Sequence, residues 1–181
     1  GSITGHLQVQ DDRVDVVKMP DRFIIDPRPV AAALEKDPRV LAHAGRIHLT
    51  GLVSTPASSV GALVCGVDPE KERLITEMHT YMTQGEYLGK TPKGLILGES
   101  LAKRLDLRLG EKAVIMAQAA DGSMGAEAFR LVGLFKTGSE SFDNQIVYVA
   151  LAAFQELLAR PGQVNNYVAK LKDIETADEV Q

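Results

Sequence analysis

Gly89-Lys90-Thr91 carries the residue types that close a phosphate-binding loop, where backbone N–H groups and a lysine cradle phosphate oxygens. That motif also needs a glycine five residues before Gly89, and the chain has Gln84 there. Pro92 interrupts the helix whose N-terminus would face the phosphate, so the segment reads as a loop bearing a lysine. Ala57-Ser58-Ser59-Val60-Gly61 has the lettering of a nucleophile elbow in its alanine form. An elbow requires strand, sharp turn and helix. Ala62-Leu63-Val64 continues as a strand instead, with no glycine-rich oxyanion loop beside it, so a hairpin turn is expected.

His6, His43, His48 and His79 are scattered, and His43 and His48, five residues apart, fall on opposite faces of a strand. There is no His-Glu-x-x-His, and the chain has one cysteine, so nothing spells out a zinc site. Asp11-Asp12 and Asp21 lack the spacing and glycine of a calcium loop. Glu70-Lys71-Glu72-Arg73 reads as a solvated helix start with acids near its N-terminus. Cys65, in the apolar run Ala62–Val67, is expected to be a buried, unreactive thiol. We therefore expect no catalytic residue, no metal ligand and no cofactor.

The composition agrees with that reading. The 181 residues are 45% hydrophobic and 24% charged, enough for one or two small domains with a real core. A net charge of −4, with 5% aromatic residues and no tryptophan, speaks against nucleic acid as a partner. No apolar run approaches the roughly 20 residues that span a bilayer, and no signal peptide is visible. Gly1-Ser2 reads as a cloning scar.

The chain is organised around Gly94–Gly138. Leu95–Leu97 is a short apolar run between glycines, too short for a helix. Leu101, Ala102 and Leu105 share one helical face, and Leu101, Leu105 and Leu109 are expected to anchor this middle part. Val114–Gln118 and Ala128–Phe135 flank Asp121-Gly122, a hairpin signal. Upstream, Leu7–Gln10 and Val14–Val17 read as strands. Asp26 caps a helix from Val30 to about Lys36, which Asp37-Pro38 ends. Val40–Leu49 and Val60–Val67 read as strands around the turn Thr55–Ser59. From Glu70 to Tyr87, Leu74, Ile75, Met78, Tyr81 and Met82 recur at helical spacing and predict one helix packed on the core. Gln145–Val149 is a strand, Ala150–Arg160 an amphipathic helix stopped by Pro161-Gly162, and Asn166–Leu171 a last strand. Thr176-Ala177-Asp178-Glu179 is a capping box that announces a further helix, as in a fragment.

A glycine-bounded apolar triplet, then A-x-x-L and G-[DE]-x-[AV] leading into a hairpin, resembles the extracytoplasmic domain of MacB/LolC/LolE/FtsX-type ABC transporter permeases. Gly5–Val9, Gly66-Val67-Asp68-Pro69-Glu70, and Ile146–Val149 followed by Ala152, Phe154, Leu157 and Leu158 are similar to further segments of that family, in the same order. The resemblance implies an α+β fold. A βαβ-type Porter-like part (residues 1–69 plus 163–181, incomplete at its C-terminus) would carry an inserted mixed α/β Sabre-like part (residues 70–162). It implies a non-catalytic domain on the periplasmic face of the inner membrane, within an integral membrane protein. Such a domain would relay ATP-driven motion of the membrane helices to a substrate or partner, in lipoprotein release or mechanotransmissive export. The implied partners are an ABC ATPase subunit or domain, a second permease copy or paralogue, and a periplasmic carrier or membrane-fusion protein. LolC-type members carry a long proline-containing hook in the hairpin, whereas this chain has only Ala119–Ala126. The exposed tip Asp121, Gly122, Ser123 and Met124 is the candidate partner contact, with Met124 an apolar residue among small polar ones. A second reading stays open: Leu105–Val114 also resembles the hairpins of double-psi barrels, which would make the chain a ligand-binding β module.

Overall fold

The computed structural model describes residues 6–11, 14–18, 23–119 and 121–172, with side chains from residue 23 onward. The Gly1-Ser2 and Thr176–Glu179 expectations, with Asp12, Asp21 and Ala120, lie outside the described residues.

Ten strands form one continuous hydrogen-bonded network around the fifteen-residue β3, Val40–Ser54. Its first half, Val40–Arg46, pairs antiparallel with β10 (Asn166–Leu171). β10 in turn pairs with β2 (Val14–Lys18), and β2 with β1 (His6–Asp11). The second half, Ile47–Ser54, pairs with β4 (Ser59–Val67), and its last four residues also pair with β7 (Lys112–Gln118).

From there the pairing closes on itself. β4 runs parallel to β9 (Ile146–Ala150), β9 antiparallel to β6 (Gly94–Gly98), and β6 parallel to β8 (Met124–Phe135). β8 returns to β7 and so to β3, giving a six-stranded barrel. The short β5 (Met82–Gly85) pairs only with β8 and lies outside the ring.

Small six-stranded barrels are filled by side chains, and period-2 alternation puts one residue in two inside. β7 follows that rule at every position, with Ala113, Ile115 and Ala117 buried and the residues between them exposed. These side chains meet Val53, Ala62, Val64, Leu95, Leu97, Phe129, Leu131, Val147 and Val149 in one core. The short α3 (Glu99–Leu105) adds Leu101 and Leu105, and α5 (Leu151–Leu157) adds Phe154 and Leu157. A Cβ on Gly66 would lie 2.9 Å from the Phe154 ring, so this β4 position must stay a glycine for α5 to pack. The opposite face of the same strands carries Cys65, Ile96 and Phe135 in a second core with Met78, Tyr87 and Leu88.

Four expectations need correction. The segment Glu70–Tyr87 is not one helix. α2 covers Pro69–Ile75, a 3-10 turn covers Met78–Tyr81, and β5 follows. Thr76 takes an extended backbone (φ −123°, ψ 168°), and Met82–Gly85 gains sheet hydrogen bonds to β8 instead of continuing a helix. Leu109 is 40% exposed beside the Gly110 turn, so the middle anchor is Leu101 and Leu105 alone. Glu72 is not a solvated residue at a helix start; it is buried. Asp26 does not occupy the cap position of α1 (Arg28–Lys36). Pro27 does, and the Asp26 carboxylate accepts the Arg28 N–H at 3.1 Å from one residue outside.

Candidate functional site

The hairpin tip is held on one side. Gln118 ends β7 and Met124 begins β8. Between them the Gly122 N–H donates to the Ala119 carbonyl (2.9 Å) and the Ala119 N–H to the Ser123 carbonyl (2.8 Å). Gly122 has φ +90°, a left-handed position where glycine is unstrained. The Asp121 carboxylate accepts the Ser123 hydroxyl (2.7 Å) and backbone N–H (3.0 Å), as turn aspartates do. Arg160, just after α5, forms an ion pair with Asp121, and its Nη2 donates to Ser123 Oγ at 3.4 Å. The same guanidinium lies 4.9 Å from the centroid of the Phe23 ring. A Cβ on Gly125 would sit 1.9 Å from the Leu157 carbonyl oxygen, so the base of the hairpin touches α5 directly. Met124, by contrast, is 61% exposed.

A second polar assembly marks the residue at which β3 changes partners. Arg46 is the last β3 residue paired with β10, and Ile47 the first paired with β4. The Arg46 Nε and Nη2 donate to Glu72 Oε1 and Oε2 of α2, both at 2.6 Å, with both side chains buried. Burial alone would lower the guanidinium pKa, but the Glu72 charge and its hydrogen bonds outweigh it and raise it. On the other edge of β3, Asn165 reads the His48 backbone like a strand residue. Its Oδ1 accepts the His48 N–H (2.9 Å) and its Nδ2 donates to the His48 carbonyl (2.8 Å). The Asp68 carboxylate, one residue past β4, caps α2 through the Glu70 and Lys71 N–H groups at 3.1 and 3.2 Å. Pro69 fits the first turn, which gives Gly66–Glu70 a physical role: it ends a strand and aims Glu72 back at Arg46.

The residues with chemical lettering are not brought together. Lys90 pairs with Glu86 at 3.5 Å on the surface, and β6, not a helix, follows the Gly89 loop. The Ser59 hydroxyl bonds to that of Ser54 across the β3–β4 hairpin (2.8 Å), and Ser58 closes the turn onto Thr55. The His43 Nε2 meets Glu35 at 2.7 Å. His43 and Lys71 border two shallow clefts of about 250 and 280 Å³ among α1, α2 and α5. Among the described residues no group of three or more His, Cys, Asp or Glu could hold a metal ion. Burial pushes the Cys65 thiol up to about 12.

Sequence reasoning missed Arg46, Glu72, Arg160 and Asn165. The one signal at hand was an arginine inside the otherwise apolar stretch around Ile47.

The family model described as MacB-like periplasmic core domain matches residues 3–181. The chain belongs to this family. Its α+β fold has solved counterparts. The extracellular domain of the noncanonic ABC-type transporter YknZ from Gram-positive bacteria superposes with a TM-score of 0.58 at 10% identity, covering 82% of this chain and 74% of that one. The periplasmic region of MacB from Actinobacillus actinomycetemcomitans gives 0.56 at 14% identity, covering 84% and 69%. A domain of a putative permease from Porphyromonas gingivalis gives 0.52 at 15%, covering 93% and 81%. At such identities the likeness is one of fold. No curated protein matches the chain. Membership of this family replaces the double-psi reading. No described helix is long and apolar enough to cross a membrane.

Proposed function

We propose that this MacB-like periplasmic core domain relays motion. In this reading ATP binding and hydrolysis on an ABC ATPase subunit or domain move the membrane helices of the permease, and the domain carries that movement to a periplasmic substrate or partner. It does so without covalent chemistry of its own. The observation that carries the reading is β3. One unbroken strand belongs to the β1–β2–β10 sheet over its first half and to the closed barrel over its second. In this reading the Porter-like part is residues 1–69 with 163–181 and the Sabre-like insertion residues 70–162, and the described strands β3 and β4 of the first pair with β7 and β9 of the second. A strand shared by two bodies and clamped at the changeover by a bidentate ion pair passes displacement from one to the other with little loss. Packed cores shift as units and do not deform continuously.

The tip Asp121, Gly122, Ser123 and Met124 is the proposed contact for a periplasmic partner or the paired permease. Its Arg160 tether would hold the tip still while Met124 stays open to an adaptable apolar contact.

Uncoupling tests the relay. In the full-length permease with its ATPase, Glu72→Gln should leave ATP hydrolysis near its original rate. It should also shrink the nucleotide-dependent fluorescence transfer between labels on the membrane helices and at Met124. Unchanged transfer in a folded Glu72→Gln protein would refute the joint as the route.

A further inference from the structure

β3 keeps part of one edge without a strand. The Thr55 N–H donates to the Ser58 carbonyl at 2.8 Å and closes the β3–β4 hairpin. In an antiparallel pair the N–H and C=O groups turn to a given edge at every second residue. Counting back along β3, Val53, Gly51, Leu49 and Ile47 face β4, whose pairing ends at Ile47 with Gly66. His48 and Arg46 face the other way. The Asn165 side chain bonds the His48 N–H and carbonyl, and the Asn165 N–H donates to the Arg46 carbonyl at 2.9 Å. The same alternation turns the backbone groups of Gly45 and His43 to the edge that β4 has left. Among the described residues no strand pairs with β3 there.

Helix α2 stands where a further strand would lie. Its Glu72 and Ile75 fix it to Arg46 and Ala44, whose side chains share one face of β3. On the opposite face, that of His43 and Gly45, the clefts of about 250 and 280 Å³ follow one another along the free edge. One borders His43 and Gly45, the other Val40 to His43, and both border Lys71. Asp68, Lys71 and Leu74, three residues apart, form one wall of this groove, and Ala31, Leu34 and Glu35 of α1 the other.

The groove changes character along its length. At the Val40 end Leu34 is joined by Leu41 and Leu74, both exposed. In the middle stand two polar groups without partners among the described residues. The Lys71 ammonium forms no ion pair. The His43 Nδ1 is buried without a hydrogen bond, while its Nε2 meets Glu35 at 2.7 Å.

We propose that this groove takes an extended peptide segment of a partner protein. The segment adds as a strand to the Val40–Gly45 edge, sets an acidic side chain on Lys71 and lays an apolar one among Leu34, Leu41 and Leu74. Backbone groups spaced along a strand edge are matched over their whole length by another strand, not by a helix or a compact ligand. At about 3.3 Å per residue the Val40–Gly45 edge is about 20 Å long, the length of an ordinary strand. The unpaired Lys71 supplies selectivity, since an acidic peptide pairs there and a basic one is repelled. This contact is separate from the Asp121–Met124 tip, and neither the tip nor the relay is needed for it.

The test is a nuclear magnetic resonance titration of the whole isotope-labelled chain. The probe is an octapeptide alternating valine with threonine, with an aspartate in place of a central threonine. The expected result is saturable binding that slows amide exchange severalfold at His43 and Gly45 but not at Ala44, whose N–H faces β10. Two N-methylated probes, one blocked at the valine amides and one at the others, should differ, because strand addition uses one edge of the peptide; only one should lose binding. Lys71→Glu adds an acid to the first turn of α2, where helices accept acids, so the fold is kept. It should weaken the aspartate peptide severalfold and bind a lysine-for-aspartate peptide more tightly than the original chain does. No binding at millimolar peptide overturns the proposal. So does binding that leaves exchange at His43 and Gly45 unchanged, that survives in both N-methylated probes, or that ignores Lys71→Glu. Slow exchange at both amides in the free chain would mean that the chain fills its own edge, and overturns it as well.

Discussion

Arg46 of β3 and Glu72 of α2, 26 residues apart, meet through two parallel hydrogen bonds of 2.6 Å with both side chains out of water. Arginine and carboxylate match geometrically in this fork, so the pair fixes an orientation as well as a distance. It stands where β3 leaves one body of the fold and enters the other.

A buried pair of this kind contributes modestly as a pair but costs heavily when halved. Glu72→Gln should therefore lower stability by about 3–5 kcal/mol in urea unfolding, since the arginine charge is left without its counter-charge. The joint change Arg46→Met with Glu72→Leu should recover most of that loss. If the double variant is as unstable as the single one, packing and not charge governs the joint.

Leu105 and Leu109 separate a core position from a surface one. Leu105 is fully buried between α3 and the barrel, and Leu105→Ala should cost about 2–5 kcal/mol. Leu109→Ala should stay within about 0.5 kcal/mol. Chemical denaturation of both variants decides the assignment; similar losses would mean the helix face is misplaced.

Burial holds the Cys65 thiol up at about 12, above its ordinary value of 9.0. Between those values the unfolded chain has released a proton that the folded chain keeps, so stability falls as pH rises from 9 towards 12. Below pH 9 the thiol is neutral in both states and its contribution is complete. Cys65→Ala should flatten part of the alkaline decline, the remainder belonging to Tyr87, Tyr148 and Tyr167, whose pKa values burial also raises. Native labelling with a maleimide at pH 8 should be slow and limited by unfolding. Rapid labelling would contradict the packing described.

At the hairpin tip, Ser123-Met124 replaced by Gly-Gly should keep the fold and lower unfolding free energy by about 1–2 kcal/mol, from the added freedom of two glycines and the lost Ser123 hydroxyl bonds to Asp121 and Arg160. Photocrosslinking from Gln118 to a periplasmic partner or the second copy in the full transporter should fall. Crosslinking at its original yield would leave the tip a plain turn.

How far the sequence discloses this arrangement depends on the range of the interactions. β6, α3 and the β7–β8 hairpin were legible because their signals are local: a glycine-bounded triplet, a three-four spacing, and strict alternation around Asp121-Gly122. The Glu70–Tyr87 helix was misread because Leu74, Met78 and Met82 keep helical spacing, while the pairing of Met82–Gly85 with β8, some 50 residues on, decides the backbone there. Barrel closure rests on β3–β7 pairs such as Leu52 with Met116, which no periodicity announces. The joint was invisible for a related reason. Glu72 sits in a run of charges that looks solvated, and only the fold brings Arg46 to it. Of the candidate site, the exposed Met124 was readable and the Arg160 tether was not.

The relay itself is tested most directly by distance. Spin labels at Met124 in both copies of the full-length permease, in nanodiscs with its ATPase, report the separation of the two domains by pulsed electron resonance. A pair within one copy, at Met124 and Lys36, reports whether a domain deforms. The account predicts that trapping with Mg²⁺-ATP shifts the distance between copies while the distance within one copy holds. An unchanged separation between copies during ATP turnover, or a change confined to the pair within one domain, would contradict it.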